Sequence, residues 1–189
     1  MCKTLDDCQI NGVNVPFLFK KEIIKLPESL LVGKGVTYPM AKQGVAVEDG
    51  GNPPLNLVWQ EYKKDGTRDW LLNNKHKMHM EVALGLYYDI NIDNSGMFSY
   101  IVGALMDINT PAPATLASHK ILAGDFAVCW YKYTDNDDIW SIAHSTVEAY
   151  LDEIGYEGNG ICSELYLFDE RNDGFNIMGY LIACKKRCN

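Results

Sequence analysis

The stretch Leu116–Gly155, LASHKILAGDFAVCWYKYTDNDDIWSIAHSTVEAYLDEIG, decides the fold. Leu116–Leu122 and Asp125–Tyr133 are two short apolar and aromatic runs on either side of Ala123-Gly124, and they read as a hairpin. An acidic cap, Asp135–Asp138, then leads a helix from Ile139 to Ile154, in which Ile139, Ala143, Val147, Tyr150, Leu151 and Ile154 form one stripe. Gly155 stops it, because a residue without Cβ enters the left-handed region without penalty. Downstream, Cys162–Phe168 and Asn176–Cys184 are strand-like around the turn Glu170–Gly174. The unit is β-β-α-β-β.

The same order occurs upstream. Phe19–Leu26 and Ser29–Val36 flank Pro27-Glu28 and read as a second hairpin. Pro53 and Pro54 open a helix with Leu55, Val58, Trp59 and Tyr62 on one stripe, ending near Gly66, and a helical turn follows over Thr67–Leu72. Strand-like Glu81–Ile90 and Met97–Asp107 are separated by the turn sequence Asn91–Gly96. Lys25–Val32 even echoes Lys120–Val128 with one residue inserted. The expected layout is an N-terminal extension over 1–16 and a single domain over 17–189. Within it lie a first module, 17–108, a linker, 109–115, and a second module, 116–185. One helix covers only one face of a four-stranded unit, so two such units are expected to abut. The expected fold is α+β, a curved antiparallel sheet with helices on its outer side and a central ligand pocket.

Composition narrows the function. The 189 residues are 47% apolar and 11% aromatic, which suits a packed core. Seventeen basic against 25 acidic side chains give a formal charge of −8, which works against binding a phosphate backbone, so no direct nucleic-acid binding is expected. No apolar run is long enough to span a bilayer, and Met1–Phe19 lacks the pattern of a signal peptide; the expectation is a cytoplasmic protein without membrane contact. Cys2, Cys8, Cys129, Cys162, Cys184 and Cys188 form no CxxC pair, and those in apolar runs read as small hydrophobes rather than metal ligands. Lys75–Met80, with His76 and His79, reads as a solvated basic run. Gly33-Lys34-Gly35 is too short for a nucleotide loop, and nucleotide, nucleophile-elbow and zinc-helix motifs are absent, so no cofactor or metal is expected.

The chemical anomaly is Glu164, inside the apolar run Ile161–Phe168. Alternation groups it with Cys162, Tyr166 and Phe168, away from Ser163, Leu165 and Leu167. A carboxylate covered there loses several kcal/mol of hydration unless a polar or positive group meets it. Either it lines a pocket, or it is a solvated edge carboxylate, or it pairs with a lysine such as Lys132.

Several motifs in order resemble the GyrI-like family, which includes the effector-binding domains of multidrug-responsive transcription regulators. They are Lys120–Val128, Ile139-Trp140, Ala149-Tyr150-Leu151 with Gly155-Tyr156, and Glu164-Leu165-Tyr166, with Lys25-Leu26-Pro27 and Gly96–Gly103 in the first half. The resemblance spans Phe17–Lys185. It implies two pseudo-symmetric modules around a pocket in which Glu164 meets the charge of a lipophilic, cationic or flat aromatic ligand. It also implies an alternative, a hydrolase opening cyclopropanoid genotoxic compounds with Glu164 as base and a tyrosine, here Tyr133, assisting. A third implied role is binding a protein partner, as gyrase-inhibiting relatives do. The sequence carries no helix-turn-helix module, which speaks against direct transcription control.

Aromatic and methionine side chains supply the candidate walls of the pocket. Tyr166 shares the face of Glu164. Trp59 and Tyr62 lie on the inner stripe of the first helix, where packing is the plain alternative. Trp140 reads as structural. Tyr38 and Met40 lead into the loop before that helix. Tyr87 and Tyr88 guarantee one tyrosine on each face of their strand, and Phe98 and Tyr100 share a face of the next. Trp130 opposes Tyr131 and Tyr133. Parity alone leaves open which face meets the pocket.

Overall fold

The computed structural model describes residues 9–39, 55–78, 82–88, 97–167 and 175–187. In chain order the elements are β1 (Gln9–Ile10), β2 (Val13–Asn14), β3 (Leu18–Leu26), β4 (Ser29–Pro39), α1 (Leu55–Lys64), α2 (Thr67–Leu72), β5 (Val82–Tyr88) and β6 (Met97–Asp107). They continue with β7 (Ala117–Ile121), β8 (Gly124–Tyr133), α3 (Trp140–Ile154), β9 (Tyr156–Leu167) and β10 (Asn176–Lys186). The class is α+β, as expected. Pro53, Pro54, His79 and the turns 91–96 and 170–174 lie outside the described residues. No helix among the described residues is long and apolar enough to cross a membrane.

The chain divides into two units, one drawn from residues up to Pro27 and from Leu122 onward, the other running from Glu28 to Ile121. The first carries an antiparallel sheet in the order β3-β8-β10-β9, and the second one in the order β5-β6-β4-β7. Neither expected hairpin forms. β3 pairs with β8, in the register Ile24↔Phe126, and β7 pairs with β4, in the register Leu31↔His119. The turn chemistry explains this: two-residue hairpin loops need positive φ, which Pro27 cannot adopt and Leu122-Ala123 does not favour. At both links the chain leaves one unit for the other.

In the first unit α3 buries Ile139, Ala143, Val147 and Leu151 against Ala127, Cys129 and Tyr131 of β8 and Met178, Ile182 and Cys184 of β10. Each large side chain so covered is worth about 1.5–3 kcal/mol relative to exposure. The helix starts where the Asp138 carboxylate accepts the Ser141 N–H at 3.3 Å, and ends at Gly155, whose φ of 73° is left-handed. β9 begins six residues before the expected strand, because Tyr156–Gly158 pairs with Cys184–Lys186 beyond a register shift. Before β3, Asn11 and Gly12 have φ of 52° and 77° and close the β1–β2 hairpin, an Asn-Gly turn the sequence reading left inside the extension.

In the second unit α1 buries Val58 and Tyr62 and packs on β4 and β6. Gly33 and Gly103 oppose each other in the β4–β6 ladder, and a Cβ on either would collide with the backbone of the other strand. Gly33-Lys34-Gly35 is thus a close approach of two strands. Cys129, Cys162 and Cys184 are free thiols, Cys129 and Cys184 buried, and burial pushes the Cys129 thiol up to about 12. Cys2, Cys8 and Cys188 lie outside the described residues.

Candidate functional site

Glu164 is 8% exposed, between Ser163 at 2% and Leu165 at 0% on the other face of β9. Its neighbours on its own face, Cys162 and Tyr166, pack against the cluster beneath α3. The carboxylate therefore lies on the helix-bearing side of its sheet, where the uncovered side had been expected. Continuous burial of both faces of β9 at this point is why parity could not choose. The Tyr166 hydroxyl donates to Glu164 Oε2 at 2.9 Å. The Tyr166 ring in turn stands 6.3 Å from that of Trp140, in the first turn of α3, at 43°.

Across the ladder Glu164 faces Tyr180 of β10. The Tyr180 hydroxyl lies 3.3 Å from His144 Nδ1, and His144 Nε2 lies 3.3 Å from Glu148 Oε1. Beside this row a groove of about 440 Å³ runs along α3 and the first half of β9, with His144, Glu148, Asp152, Tyr156, Cys162 and Arg187 in its lining. Lys132, the partner weighed for Glu164, is on the opposite face, its Nζ 4.5 Å from the centre of the Phe175 ring.

The second unit gathers aromatic side chains on the face that meets α1. Trp59 Nε1 donates to the Tyr100 hydroxyl at 3.0 Å, and Trp59 and Tyr62 meet edge to face at 5.8 Å. Tyr87 stands opposite Tyr100 in the ladder, their ring centres 4.8 Å apart. Phe98 joins Tyr87 at 5.9 Å and Tyr38 at 6.2 Å. Tyr62 and Tyr100 are each 1% exposed, whereas Tyr38, Trp59 and Tyr87 are half-buried. Tyr88 faces the other way, its ring centre 4.4 Å from that of His119 and tilted by 41°.

Of the candidate residues, then, Glu164 and Tyr166 meet in one unit, and Tyr38, Trp59, Tyr62, Tyr87 and Tyr100 meet in the other. Met40 lies outside the described residues. Trp130 is on the face opposite Glu164, since Trp130 pairs with Gly179 and Gly179 with Leu165; its Nε1 donates to Glu22 Oε1 at 2.9 Å. Tyr133 is on the same face as Glu164 but four residues along and two strands over, roughly 16 Å away by strand spacing and rise. The phenol brought to Glu164 is that of Tyr166. The sequence reading missed Trp140, Tyr180 and His144 as neighbours of the carboxylate. Helix periodicity put Trp140 next to Ile139, off the buried stripe, and the pairing of Tyr180 with Glu164 is carried only by register.

The family model described as the GyrI-like small-molecule-binding domain matches residues 20–178. Among solved structures the chain resembles SAV2435 bound to tetraphenylphosphonium, at 18% identity and a TM-score of 0.63, covering 88% of this chain and 94% of that one. It also resembles a putative bacterial transcription regulation protein from Staphylococcus aureus MU50, at 16% identity and a TM-score of 0.60, covering 88% and 98%. The C-terminal domain of EcmrR follows at 13% identity and a TM-score of 0.56, covering 89% and 98%. At these identities the likeness is one of fold. No curated protein sequence matches the chain.

Proposed function

The chain belongs to the family of GyrI-like small-molecule-binding domains, and from that premise we propose that it takes up lipophilic cations, with Glu164 as counter-charge and aromatic rings as walls. We read 17–189 as one ligand-binding domain. The observation that carries the proposal is a carboxylate only 8% exposed in an aromatic setting, held by a phenol rather than left to water. A buried carboxylate draws a cation strongly, because the dielectric around it is low and it has lost hydration that the ligand's charge replaces. Ring faces add attraction of order 1 kcal/mol each for a cation and apolar contact for its substituents. The exposed or half-buried rings of Trp140, Tyr166 and Tyr180, in the same unit as the carboxylate, are the rings this reading uses. That SAV2435 was solved with tetraphenylphosphonium supports the ligand class.

The test is calorimetric titration with tetraphenylphosphonium and with its neutral analogue tetraphenylmethane derivatised for solubility. Binding of the cation that weakens in Glu164→Gln, with the neutral analogue unaffected, is the expected result. Equal binding of both by wild type and variant sinks the counter-charge role. The Glu164–Tyr166 hydrogen bond also favours a second reading, a hydrolase with Glu164 as general base and Tyr166 as the acid. Ring-opened product from a cyclopropane-bearing compound, absent with Glu164→Gln, would decide for it.

A further inference from the structure

We propose that Asn159-Gly160 is a site of spontaneous backbone modification, at which the folded chain converts its own asparagine to aspartate and isoaspartate. The sequence holds two Asn-Gly pairs, Asn11-Gly12 and Asn159-Gly160. In such a pair the backbone nitrogen of the glycine, giving its proton to solvent base, attacks the carbonyl carbon of the asparagine side chain. A C–N bond to the glycine nitrogen forms, the C–N bond to the side-chain nitrogen breaks, and ammonia leaves with a proton from water. Water then opens the cyclic imide at one carbonyl or the other. The product is aspartate, or isoaspartate with the backbone running through the side-chain methylene. Glycine favours the attack because no Cβ shields its nitrogen. The peptide between the two residues must turn to bring that nitrogen to the carbon, so the fold decides which pair reacts.

Asn11-Gly12 is anchored. Its φ angles of 52° and 77° belong to a tight turn closed by the pairs Ile10↔Val13 and Gln9↔Asn14, and the Gln9 side chain donates to Asn14 Oδ1 at 3.0 Å. Ile10 is buried in the cluster under α3, and Lys21 Nζ donates to the Gln9 carbonyl at 2.6 Å. Asn159-Gly160 has the opposite setting. The register of β9 on β10 passes from Cys162↔Ile182 to Gly158↔Cys184, so Asn159, Gly160 and Ile161 stand against Ala183 alone. Both members of the pair are exposed, Gly160 has a φ of 88°, and nothing lies within 4 Å of where a Cβ on it would stand. A bulge of this kind opens locally at little cost. Asn159 also lines a cavity of about 430 Å³ together with Asp125, Lys185 and Lys186, so the carboxylate that the reaction creates joins two cations and one anion.

The full chain is kept folded at mildly alkaline pH and, in parallel, unfolded in concentrated urea, and peptide mass spectrometry follows the conversion of amide to acid at each pair. In the folded protein Asn159 is expected to convert about tenfold faster than Asn11, the ratio given by one ladder hydrogen bond that must open around the hairpin turn. In urea the two are expected to convert at similar rates, because the dipeptide is the same and the fold no longer chooses. Asn159→Gln, whose longer side chain closes the ring far more slowly, is expected to remove the acidic species that ion-exchange chromatography separates from aged folded protein; a thermal melt establishes that the variant is folded. Asn11 keeping pace with Asn159 in the folded protein, no conversion of Asn159 while the chain is folded, or acidic species undiminished in Asn159→Gln overturns the assignment.

Discussion

The two units repeat one device and end it differently. In each, the fifth residue of the long helix reaches a tyrosine on the last long strand: Trp59 of α1 meets Tyr100 of β6, and His144 of α3 meets Tyr180 of β10. In each, the residue across the ladder from that tyrosine completes the row. In the second unit it is Tyr87; in the first it is Glu164. Three residues further along each helix the same correspondence holds, with Tyr62 and Val147 both buried. A duplicated scaffold thus supplies an aromatic row twice, and a single change of residue type at one rung introduces charge. The difference teaches where chemistry enters a repeat: in the residue facing the shared tyrosine, with backbone pairing left as it was.

The largest expected effect tests the scaffold beneath this comparison. The β4–β6 ladder opposes Gly33 to Gly103, backbone against backbone, whereas the β8–β10 ladder opposes Trp130 to Gly179, with the indole lying over the glycine. Gly33→Ala is expected to cost about 3 kcal/mol or more, because a carbonyl in the opposing strand cannot move aside without breaking pairing. Gly179→Ala, whose Cβ would meet the Trp130 ring at 3.0 Å, is expected to cost about 1 kcal/mol, since a side chain can shift. Urea unfolding of both variants measures the pair. Equal losses would mean the two ladders are packed alike after all.

The rung itself comes next. Glu164→Gln is expected to weaken binding of tetraphenylphosphonium by roughly thirtyfold, about 2 kcal/mol, since the charge is lost and the shape is kept. Tyr87→Phe, the matching change in the other unit, is expected to leave it within about threefold of wild type, because no charge is removed. Titration calorimetry reads both. If Tyr87→Phe matched Glu164→Gln, charge would not be what distinguishes the two rows.

How far this arrangement could be read from residues alone differs between fold and site. Period 3.6 along Leu55–Tyr62 and Ile139–Ile154 and the apolar runs at β5, β6, β8 and β10 revealed the repeat directly. Partner choice stayed hidden, because alternation assigns faces and says nothing of neighbours; only the fixed φ of Pro27, unable to reach the positive values of a tight hairpin loop, points away from pairing β3 with β4. Gly158, Asn159 and Gly160 disguised the first half of β9 as loop, since strand pairing there is a matter of β10 reaching past its own bulge. Glu164 with Tyr166 was legible from parity, and so was the set Tyr38, Trp59, Tyr62, Tyr87 and Tyr100 as separate residues. Their gathering depends on the registers Tyr38↔Phe98 and Tyr87↔Tyr100, which no local pattern encodes. Trp130 failed to join Glu164 because both faces of β8 are apolar, so nothing in its sequence distinguishes the side that receives α3.

The bond from helix to tyrosine should weigh differently in the two units. Tyr100 is 1% exposed, so Trp59→Phe, which removes the indole N–H donated to it, takes a donor from a buried hydroxyl. A loss of about 1–2 kcal/mol in denaturant unfolding is expected. His144 has a half-exposed side chain, and water can replace it; His144→Ala is expected to cost under about 0.5 kcal/mol. Reversal of that order would show that the row in the first unit is the structural one.

A further small effect concerns how each helix is fastened to its sheet by a strand lysine: Lys21 of β3 to Glu153 of α3 at 2.8 Å, and Lys34 of β4 to Asp65, after α1, at 2.5 Å. The Lys34 ammonium, then the Thr67 hydroxyl and N–H, hold the Asp65 carboxyl down at about 2, against an ordinary 3.8. A folded-state value below the unfolded one means that the folded form favours the carboxylate. The contribution is therefore complete above the unfolded value, near pH 4 and upward, and disappears as pH falls towards 2. Because the Asp65 side chain is 37% exposed, solvent screening keeps that contribution under about 1 kcal/mol. Asp65→Asn is expected to lower the thermal midpoint slightly at pH 6, with the wild-type and variant curves converging as pH approaches 2. A gap that stayed constant on acidification would mean that the Asp65 corner is held by packing rather than through its charge.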